Sequence, residues 1–274
     1  MSKIAVIGIA GESVFLPVDS FHTGGETVEA RSLHKEPGGK GFNQAVACAR
    51  FGVSVSFLAA VGNDGYAEVA RGFLEREGVK AYLPEKNEKT AYAAIITDKE
   101  GRNRVTVYTG ARLTPEDVTE LFEREIAAAE YLILGNETDI AVNLRASEIA
   151  QRSCTKIIYN PAPSKPLPDE LADRVFLFTP NEHETEGISD RDNCIITLGA
   201  HGCRICSTNE LIPAYPVAAV DTTGAGDTFN GVLAAALASG VSLRDSVGLA
   251  VKASGIGVTR RGAVSSIPYK RELF

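Results

Sequence analysis

The sequence predicts an α/β fold in which a mostly parallel central sheet is covered by helices on both faces. Short apolar runs alternate along the chain with longer segments of helical pattern, which is typical of consecutive βαβ units. Two glycine-rich turns each lead directly into an Ala-rich helical segment. The chain has 274 residues, of which 44% are hydrophobic, so it can bury a large core.

Six apolar runs are the predicted strands of the sheet, and four segments are the most readable helices. The strands are residues 4–9, 55–61, 131–134, 156–159, 175–179 and 194–197. The helices are residues 43–51, 65–77, 114–128 and 140–151. The helix at 114–128 has the clearest start, because Thr114 can cap it, Pro115 suits its first position, and the acidic residues that follow complement the helix dipole.

Two places interrupt the alternation of strands and helices. Residues 12–36 are rich in glycine and poor in strand patterns, and residues 90–97 and 104–109 predict a hairpin across 98–101. We expect these segments to form a small sheet apart from the main one. The sequence contains no internal repeat or linker-like run, so residues 1–274 are predicted to form one domain with this excursion.

Residues 221–231 form a glycine-rich turn that opens a buried helix. Gly224, Ala225 and Gly226 are small enough for a ligand to approach the backbone, and the unpaired amides of a helix N-terminus attract anions. Asp227 would repel a phosphate bound at those amides. It is therefore either an N-cap, which Asp favours, or a base beside the phosphate that takes a proton from an attacking hydroxyl.

A second glycine-rich turn, at residues 37–47, carries Gly39, Lys40 and Asn43 at the start of another Ala-rich helix. Lys40 and Asn43 supply donors and an acceptor suited to sugar hydroxyls, and the glycines let backbone groups reach a ligand. Taken alone, the same Gly-Gly-Lys-Gly segment is also consistent with a flexible loop.

Together, and in this order, the two segments resemble the two signatures of the PfkB or ribokinase-like carbohydrate kinase family. The resemblance covers nearly the whole chain, because it extends to Asn160-Pro-Ala-Pro163, Thr179-Pro-Asn181-Glu-His-Glu184, Thr197-Leu-Gly199-Ala-His-Gly202 and residues 258–268. It implies a ribokinase-like three-layer α/β/α sandwich with a small β-sheet lid. It also implies an ATP-dependent kinase that phosphorylates a hydroxyl of a small sugar or sugar derivative.

The resemblance assigns roles to residues on both sides of the transferred phosphoryl group. Asp227 is implied to be the general base. The backbone amides of Ala225, Gly226 and Asp227, in the turn that begins at Gly224, are implied to stabilise charge on the transferring phosphoryl group. The implied acceptor contacts are Gly39, Lys40, Asn43, Glu137 and Ser13. The implied nucleotide contacts are Asn181, Thr197, Gly199 and Gly202.

The resemblance also implies that Mg²⁺ accompanies the ATP, and it is compatible with K⁺ as a further cofactor. Asn181 and Glu184 match an Asn-x-x-Glu motif that acts through water on Mg²⁺, although Glu184 on its own is also consistent with an exposed acid in the first turn of a helix. The positions that match a monovalent cation site are Asp221, Thr223, Gly262 and Ser266. The P-loop and Rossmann glycine fingerprints are absent from the sequence, so the phosphates must be held in another way.

Two features depart from the family pattern. Ribokinase-like sugar kinases commonly present Asn-x-Asp after the first strand, whereas Gly11 and Ser13 stand at those positions here, so the carboxylate clamp on the sugar is missing. Plain ribose is therefore less expected as the acceptor. Only nine residues, 185–193, separate Glu184 from the next predicted strand. One covering unit is missing there, so the sheet edge is expected to be thinner or shielded by a partner subunit.

Composition excludes several other classes of protein. The formal net charge is −7 and no basic cluster stands out, so we expect no nucleic-acid partner. The longest apolar run, residues 231–241, is too short to span a membrane, and the apolar run near the N-terminus is too brief for a signal peptide. We therefore expect a cytoplasmic protein. Pairing of lids, as implied by the resemblance, predicts a homodimer.

Three functional hypotheses remain open at this stage. The first is a sugar kinase, and the second is a nucleoside kinase of the same fold, which the lost clamp and Phe42 beside Asn43 permit. The third, outside enzymes, is a catalytically weak nucleotide-binding sensor. The joint presence of Asp227, Asn181 and Glu184 favours an enzyme.

Overall fold

Strands and helices alternate along most of the chain in a computed structural model, which describes residues 3–100, 102–188 and 190–274. The strands are β1 (Ile4–Ile7), β2 (Gly11–Pro17), β3 (His34–Gly38), β4 (Val55–Leu58), β5 (Val61–Gly62), β6 (Val79–Tyr82), β7 (Glu85–Lys86), β8 (Ala91–Thr97), β9 (Asn103–Tyr108), β10 (Tyr131–Gly135), β11 (Lys156–Asn160), β12 (Val175–Phe178), β13 (Ile195–Thr197), β14 (Cys203–Ile205) and β15 (Glu210–Ile212). The α-helices are α1 (Lys40–Phe51), α2 (Tyr66–Arg76), α3 (Glu120–Ala128), α4 (Ile140–Ser153), α5 (Asp169–Ala172), α6 (Ala225–Ala238) and α7 (Leu243–Gly257).

The central sheet contains six parallel strands in the order β12-β11-β10-β1-β4-β6. Its middle strand, β1, alternates its side chains between two apolar cores. Ile4 and Val6 pack with α1, α2, α6 and α7, whereas Ala5 and Ile7 pack with α3 and α4. The predicted three-layer α/β/α sandwich is therefore confirmed, and both faces of the sheet are covered by helices.

A separate four-stranded sheet, which we call the lid sheet, has the order β3-β2-β8-β9. The predicted hairpin is confirmed by β8 and β9, which pair antiparallel, although Gly101 in its turn lies outside the described residues. Segment 12–36 contributes strands at its two ends, and β2 pairs with both β3 and β8. Residues 18–33 between them form no strand.

The predicted continuous helix at 114–128 is wrong, because the structure divides it in two. Thr114 does cap the first piece, a single 3₁₀ turn over Pro115–Asp117, in a reciprocal capping box with Asp117. At Val118 the backbone then leaves the helical region, with φ −77° and ψ 68°. Val118 is buried in the core beside α3, so tertiary packing overrides the local helical pattern.

The predicted strand at 194–197 differs from a regular member of the parallel sheet. β13 pairs antiparallel with β14 and meets the main sheet through two isolated parallel bridges, Phe178 with Cys194 and Asn181 with Thr197. The edge strand β6 and helix α7 were not predicted, and neither were the short elements β7, β15 and α5. The start of α7 carries a readable signal, since Ser242 caps it by accepting a hydrogen bond from the amide of Asp245. Among the helices of the described ranges, none is long and apolar enough to cross a bilayer.

Candidate active site

Helix α6 begins at an anion-binding turn. Gly224 is its N-cap residue with φ +76°, and a Cβ there would lie 3.2 Å from Cα of Ala263, so the position requires glycine. The amide of Ala225 donates to the carbonyl of Thr222, so the expectation that this amide binds the phosphoryl group is wrong. Within the described residues, the amides of Gly226 and Asp227 have no protein acceptor. They line a cleft and are available to a negatively charged ligand.

Asp227 is not the N-cap of α6, so that alternative is wrong. It occupies the third helical position, is 6% exposed, and makes no capping hydrogen bond. Its Oδ2 instead accepts a hydrogen bond of 2.8 Å from Nδ2 of Asn43, which joins α6 to α1. Burial raises the pKa of Asp227, the charge of Lys40 and the Asn43 hydrogen bond oppose that rise, and the charge of Glu184 adds to it.

The glycine-rich turn before α1 is tightly packed, which excludes the flexible-loop interpretation. Gly39 is the N-cap with φ +116°, and a Cβ there would lie 2.1 Å from the carbonyl oxygen of Ile9. Gly8 and Gly41 approach each other so closely that a Cβ on either would fall within 2.7 Å of the other's Cα. These contacts fix Lys40 at the first position of α1, directly beside the end of β1.

Lys40 lies among three carboxylates. The charges of Asp227, then Glu137 and Glu184, raise its pKa, so the ammonium stays protonated. Glu137 follows β10, and its Oε2 accepts a hydrogen bond of 3.2 Å from the amide of Gly41. Burial raises the pKa of Glu137 to about 7, while Lys40 acts in the opposite direction and Asp227 adds to the rise.

Two buried polar atoms beside these residues have no hydrogen-bond partner in the described part of the chain: Oδ1 of Asn43 and Oγ1 of Thr138. Asn43 is 4% exposed, and Thr138 lines the same small recess as Lys40 and Glu137. An orphaned buried polar atom is costly unless a ligand satisfies it. The pair therefore suits an acceptor that presents hydroxyl groups.

A cleft of about 190 Å³ opens at the carboxyl ends of the central strands, where open α/β sheets bind ligands. It lies between the N-terminus of α6 and the residues that follow β11, β12 and β13. Its lining residues are Lys40, Asn160, Ala162, Thr179, Asn181, Glu184, Thr197, Thr222, Gly224, Ala225, Gly226, Asp227 and Asn230. The structure thus brings both glycine-rich turns and the Asn-x-x-Glu motif to one cavity.

Four polar residues joined by hydrogen bonds beside the cleft were not among the predicted site residues, although a signal for three of them exists. Gln44 donates to Asn160, Asn160 donates to the carbonyl of Thr179, and the hydroxyl of Thr179 donates to Asn230. Asn160 and Thr179 stand at the ends of parallel strands, where ligand contacts are expected. Asn230 follows Asp227 by three residues, which places both on one helix face.

Asn181 and Glu184 lie in a turn, so the first-turn helix interpretation of Glu184 is wrong. Oε2 of Glu184 accepts from the amide of Asn181 at 3.1 Å, and Oδ1 of Asn181 accepts from the amide of His183 at 2.8 Å. Glu184 is only partly buried and its carboxylate faces the cleft. Oxygen donors beside a phosphate-sized cavity fit a hydrated Mg²⁺ ion.

The four residues matched to a monovalent cation site also lie together. Oδ1 of Asp221 accepts from both the amide and the hydroxyl of Thr223, and Oδ2 accepts from the amide of Gly262 at 3.0 Å. The hydroxyl of Ser266 donates to the carbonyl of Ala263. Asp221 therefore orders the segment before α6 and the loop after α7, next to the anion-binding turn.

Six of the predicted acceptor and nucleotide contacts are not among the residues that line the cleft: Gly39, Asn43, Glu137, Ser13, Gly199 and Gly202. The first three lie close to it, around the start of α1. Ser13 is buried in lid strand β2, where its Oγ fills the space above Gly38. Gly199 and Gly202 form the 3₁₀ turn after β13, and a Cβ on Gly202 would lie 2.0 Å from the carbonyl oxygen of Ile212. The two glycines therefore allow the turn that follows Thr197.

The shortened segment after Glu184 leaves an open groove. The described residues between 185 and 193 form turns without a helix, and Ser189 lies outside the described residues. A groove of about 370 Å³ separates them from residues 161–172. Within the described residues of this segment, no helix covers the edge of the sheet.

Comparison with known proteins agrees with this geometry. The sequence model described as pfkB family carbohydrate kinase matches residues 1–270. Ribokinase of Staphylococcus aureus (strain COL) is 34% identical over 300 residues, covering 99% of this chain and 98% of that protein.

Solved structures give the same result. The crystal structure of ribokinase from Thermotoga maritima superposes with a TM-score of 0.88 at 32% identity, covering 100% of this chain and 98% of that chain. Ribokinase from Cryptococcus neoformans var. grubii serotype A, in complex with ADP, has a TM-score of 0.84 at 28% identity and covers 99% of this chain and 98% of that chain. The chain belongs to the pfkB family and is an ATP-dependent carbohydrate kinase.

Proposed function

We propose that this kinase transfers the terminal phosphoryl group of ATP to a hydroxyl of a small sugar, with Asp227 as the general base. The observation that carries the proposal is the position of Asp227, a buried carboxylate one turn inside α6 and directly beside two unpaired backbone amides. A base at this point can reach an acceptor oxygen while the amides of Gly226 and Asp227 face the phosphoryl group that the oxygen attacks.

In this proposal the acceptor oxygen loses its proton and receives the phosphoryl group. Asp227 takes the proton of the acceptor hydroxyl, the oxygen forms a bond to phosphorus, and the bond from phosphorus to the leaving ADP oxygen breaks. The developing negative charge is stabilised by the α6 amides and by the Lys40 ammonium, whose pKa is raised by its carboxylate neighbours. The Asn43 hydrogen bond holds the Asp227 carboxylate in one orientation.

Mg²⁺ and a monovalent cation complete the proposal. Asn181 and Glu184 would hold Mg²⁺ through water, and the ion would supply positive charge that screens the nucleotide phosphates from the nearby carboxylates. Asp221, Thr223, Gly262 and Ser266 would surround K⁺, with Asp221 as the charged member. Thr197, Gly199 and Gly202 are proposed to line the nucleotide side, since Thr197 borders the cleft and the two glycines shape the turn that follows it.

The acceptor is proposed to bind between the start of α1 and the lid sheet, against Gly39, Lys40, Asn43 and Glu137. The orphaned oxygens of Asn43 and Thr138 favour a ligand with several hydroxyls. Ser13 offers one hydroxyl where relatives carry a carboxylate, so we expect weaker selection among sugars at that point.

A nucleoside is the second candidate acceptor. The buried face of the lid sheet carries the apolar residues Phe15 and Ile95, with Ala93 packed against them, around the position where the carboxylate clamp is missing. Such a surface tolerates an aromatic base attached to the sugar better than a carboxylate would.

We further propose that residues 1–274 act as one kinase domain, with lid strands from about 12–36 and 90–109, and that two copies pair through their lids in the cytoplasm. The lid sheet has an open edge at β9, and pairing would cover it. The five cysteines are all free thiols, as suits a reducing compartment.

The test is ADP release with Mg·ATP and a panel of pentoses, hexoses, sugar phosphates and nucleosides. The Asp227→Asn variant should turn over roughly 10²–10⁴-fold more slowly while it folds normally, because it keeps the shape of the side chain and loses the base. Asp245→Asn is the matched control, since Asp245 occupies the same third position of α7 away from the cleft.

Turnover with one acceptor class that only Asp227→Asn abolishes would support the proposal. Equal rates for the two variants would remove Asp227 from the role of base. Binding of Mg·ATP without turnover on any acceptor would favour the nucleotide sensor instead.

A further inference from the structure

Glu36 is a buried carboxylate that the proposed chemistry does not use. It lies on lid strand β3 opposite Ser13 of β2 and is only 6% exposed. A buried carboxylate is costly unless it is paired or hydrogen-bonded, so its partners indicate its role.

Glu36 accepts hydrogen bonds from backbone amides outside the lid sheet, and Nε2 of His34, on the same strand, lies 3.5 Å from its Oε2. Oε1 accepts from the amide of Ala263, and Oε2 accepts from the amide of Ser265 at 3.2 Å. Gly262, with φ +94°, comes just before, and a Cβ there would lie 3.1 Å from Oε2 of Glu36. Residues 262–267, which we call the 262–267 loop, are thus shaped around this carboxylate.

The 262–267 loop is also the neighbour of the anion-binding turn. Ala263 packs against Gly224, the N-cap of α6, and the amide of Gly262 donates to Asp221. On the other side, Arg50 at the end of α1 donates to the carbonyls of Val264 and Ile267 at 2.8 and 2.7 Å. Any displacement of the loop therefore reaches the amides that would bind phosphate.

Glu36 connects the lid sheet to this loop by charge-assisted hydrogen bonds. Phe15 and Ile95 of the lid pack against Ala263 as well, but apolar contacts of this kind leave the loop free to slide. Two amides two residues apart that donate to one carboxylate fix both the position and the direction of the backbone.

We infer that Glu36 is a positioning residue that holds the 262–267 loop against the phosphate-binding end of α6 and makes that geometry depend on the lid sheet. The loop geometry follows from the hydrogen bonds alone. The consequence for nucleotide binding rests on the proposed function.

Three variants test the inference. Glu36→Gln keeps the size of the side chain but replaces one acceptor by a donor that would face an amide. Glu36→Asp keeps the charge and withdraws it by one methylene, so it should restore part of the effect. Glu125→Gln is the matched control, because Glu125 is a 7% exposed carboxylate that accepts from Lys80 and Tyr82 on the far side of the sheet.

Amide hydrogen exchange and Mg·ATP titration calorimetry are measured on all proteins, together with urea unfolding. In Glu36→Gln we expect roughly tenfold faster exchange in the 262–267 loop and roughly tenfold weaker binding of Mg·ATP, the size expected for a lost charge-assisted hydrogen bond. Glu36→Asp should lie between this variant and the natural protein. Glu125→Gln should lower the urea midpoint without changing either readout.

Unchanged exchange in the 262–267 loop of both Glu36 variants would overturn the inference. An equal loss of Mg·ATP affinity in Glu125→Gln would also overturn it, since the effect would then follow from general destabilisation. If the natural protein binds no Mg·ATP, the proposed function fails, and loop exchange alone decides the role of Glu36.

Discussion

At the scale of single residues, the site places several charged side chains in a buried environment. The charges of Asp227, Glu137 and Glu184 all act on Lys40 and raise the pKa of its ammonium group. The raised pKa values of Asp227 and Glu137 express the cost of holding these carboxylates ionised in a buried place. A carboxylate with a raised pKa is also a stronger base, so burial that destabilises the ionised form helps it to accept a proton.

The first consequence concerns the pH dependence of catalysis. Asp227 must be ionised to accept a proton, and its pKa is raised by burial, so protonation removes the base at a higher pH than for an ordinary Asp. We expect kcat/KM to fall on acidification, and Asp227 to contribute a limb whose midpoint lies above about 4. Rates measured from about pH 4 to 9 check this, and a profile that stays flat down to about pH 4 would contradict it.

The second consequence concerns stability. The folded-state pKa of Glu137 is about 7, above its ordinary value of 4.5, so the folded protein holds a proton that the unfolded chain has released between these two values. Because the folded state binds more protons in this window, the free energy of unfolding falls as pH rises through it.

Glu137→Gln removes this titration. We expect the free energy of unfolding of the variant to rise relative to the natural protein between pH 4.5 and about 7, by on the order of 3 kcal/mol in total. Urea titrations at several pH values measure the difference. A gap between the two proteins that does not change with pH would show that Glu137 stays ionised throughout.

At the scale of elements, the site depends on how closely α1 approaches α6. A Cβ on Gly231 of α6 would lie 2.5 Å from both Cβ of Ala47 and the carbonyl oxygen of Gln44 in α1. The thiol of Cys48 donates to the carbonyl of Gly231 at 3.1 Å. One turn away, the same two helices meet in the Asn43–Asp227 hydrogen bond.

Gly231→Ala should therefore damage both stability and catalysis. The added methyl group must push the helices apart, which costs about 1–3 kcal/mol and lengthens the Asn43–Asp227 bond. Gly248→Ala is the control, because a Cβ at Gly248 of α7 meets no atom within 4 Å and should add about 0.5–1 kcal/mol through helix propensity. Urea unfolding and kcat measure both variants. A Gly231→Ala protein as stable and active as the control variant would refute this view of the interface.

The sequence predicted most elements of the fold because local pattern and tertiary environment agree there. The buried strands β1 and β10 are short apolar runs in the sequence. Helix α4 ends two residues beyond the helical pattern predicted at 140–151. Prediction failed where packing decides. Val118 is drawn into the core and divides one helix into two, and β13 takes antiparallel partners that a period-2 pattern cannot distinguish from parallel ones.

Glycines and charged residues in the sequence indicated much of the candidate site. Residues that act only by holding other parts of the chain in place were not predicted. Gly39 and Gly224 both have positive φ and close neighbours, so their presence in the sequence was informative. Glu36 gave no such signal. Its partners are amides more than two hundred residues away along the chain, and no local pattern encodes a contact of that range.

At the scale of the whole molecule, the lid sheet leaves apolar surface and an unpaired edge. Val105 and Val107 on the edge strand β9 are 50% and 57% exposed. They pair across the sheet with Ile95 and Ala93, so they extend the apolar face that covers the site. An open edge with exposed β-branched residues invites pairing with another strand, and natural proteins often block such edges with lysine.

Val107→Lys should therefore weaken the proposed homodimer. The charge would be buried at the interface between two lids, whereas in the isolated chain it would remain in solvent. Val69→Lys is the control, since Val69 is 55% exposed on helix α2, outside the lid sheet. Sedimentation velocity over a range of concentrations measures the monomer–dimer equilibrium. We expect roughly a tenfold or larger increase in the dissociation constant for Val107→Lys alone.

Acceptor binding should follow the same equilibrium if the paired lids support each other. A monomeric Val107→Lys protein would keep Asp227 and the α6 amides intact, so its kcat should stay near that of the natural protein while its KM for the acceptor rises. Equal dissociation constants for Val107→Lys and Val69→Lys would place the dimer contact elsewhere. The groove between residues 161–172 and the segment after Glu184 would then be the next surface to test, because it is open and has a volume of about 370 Å³.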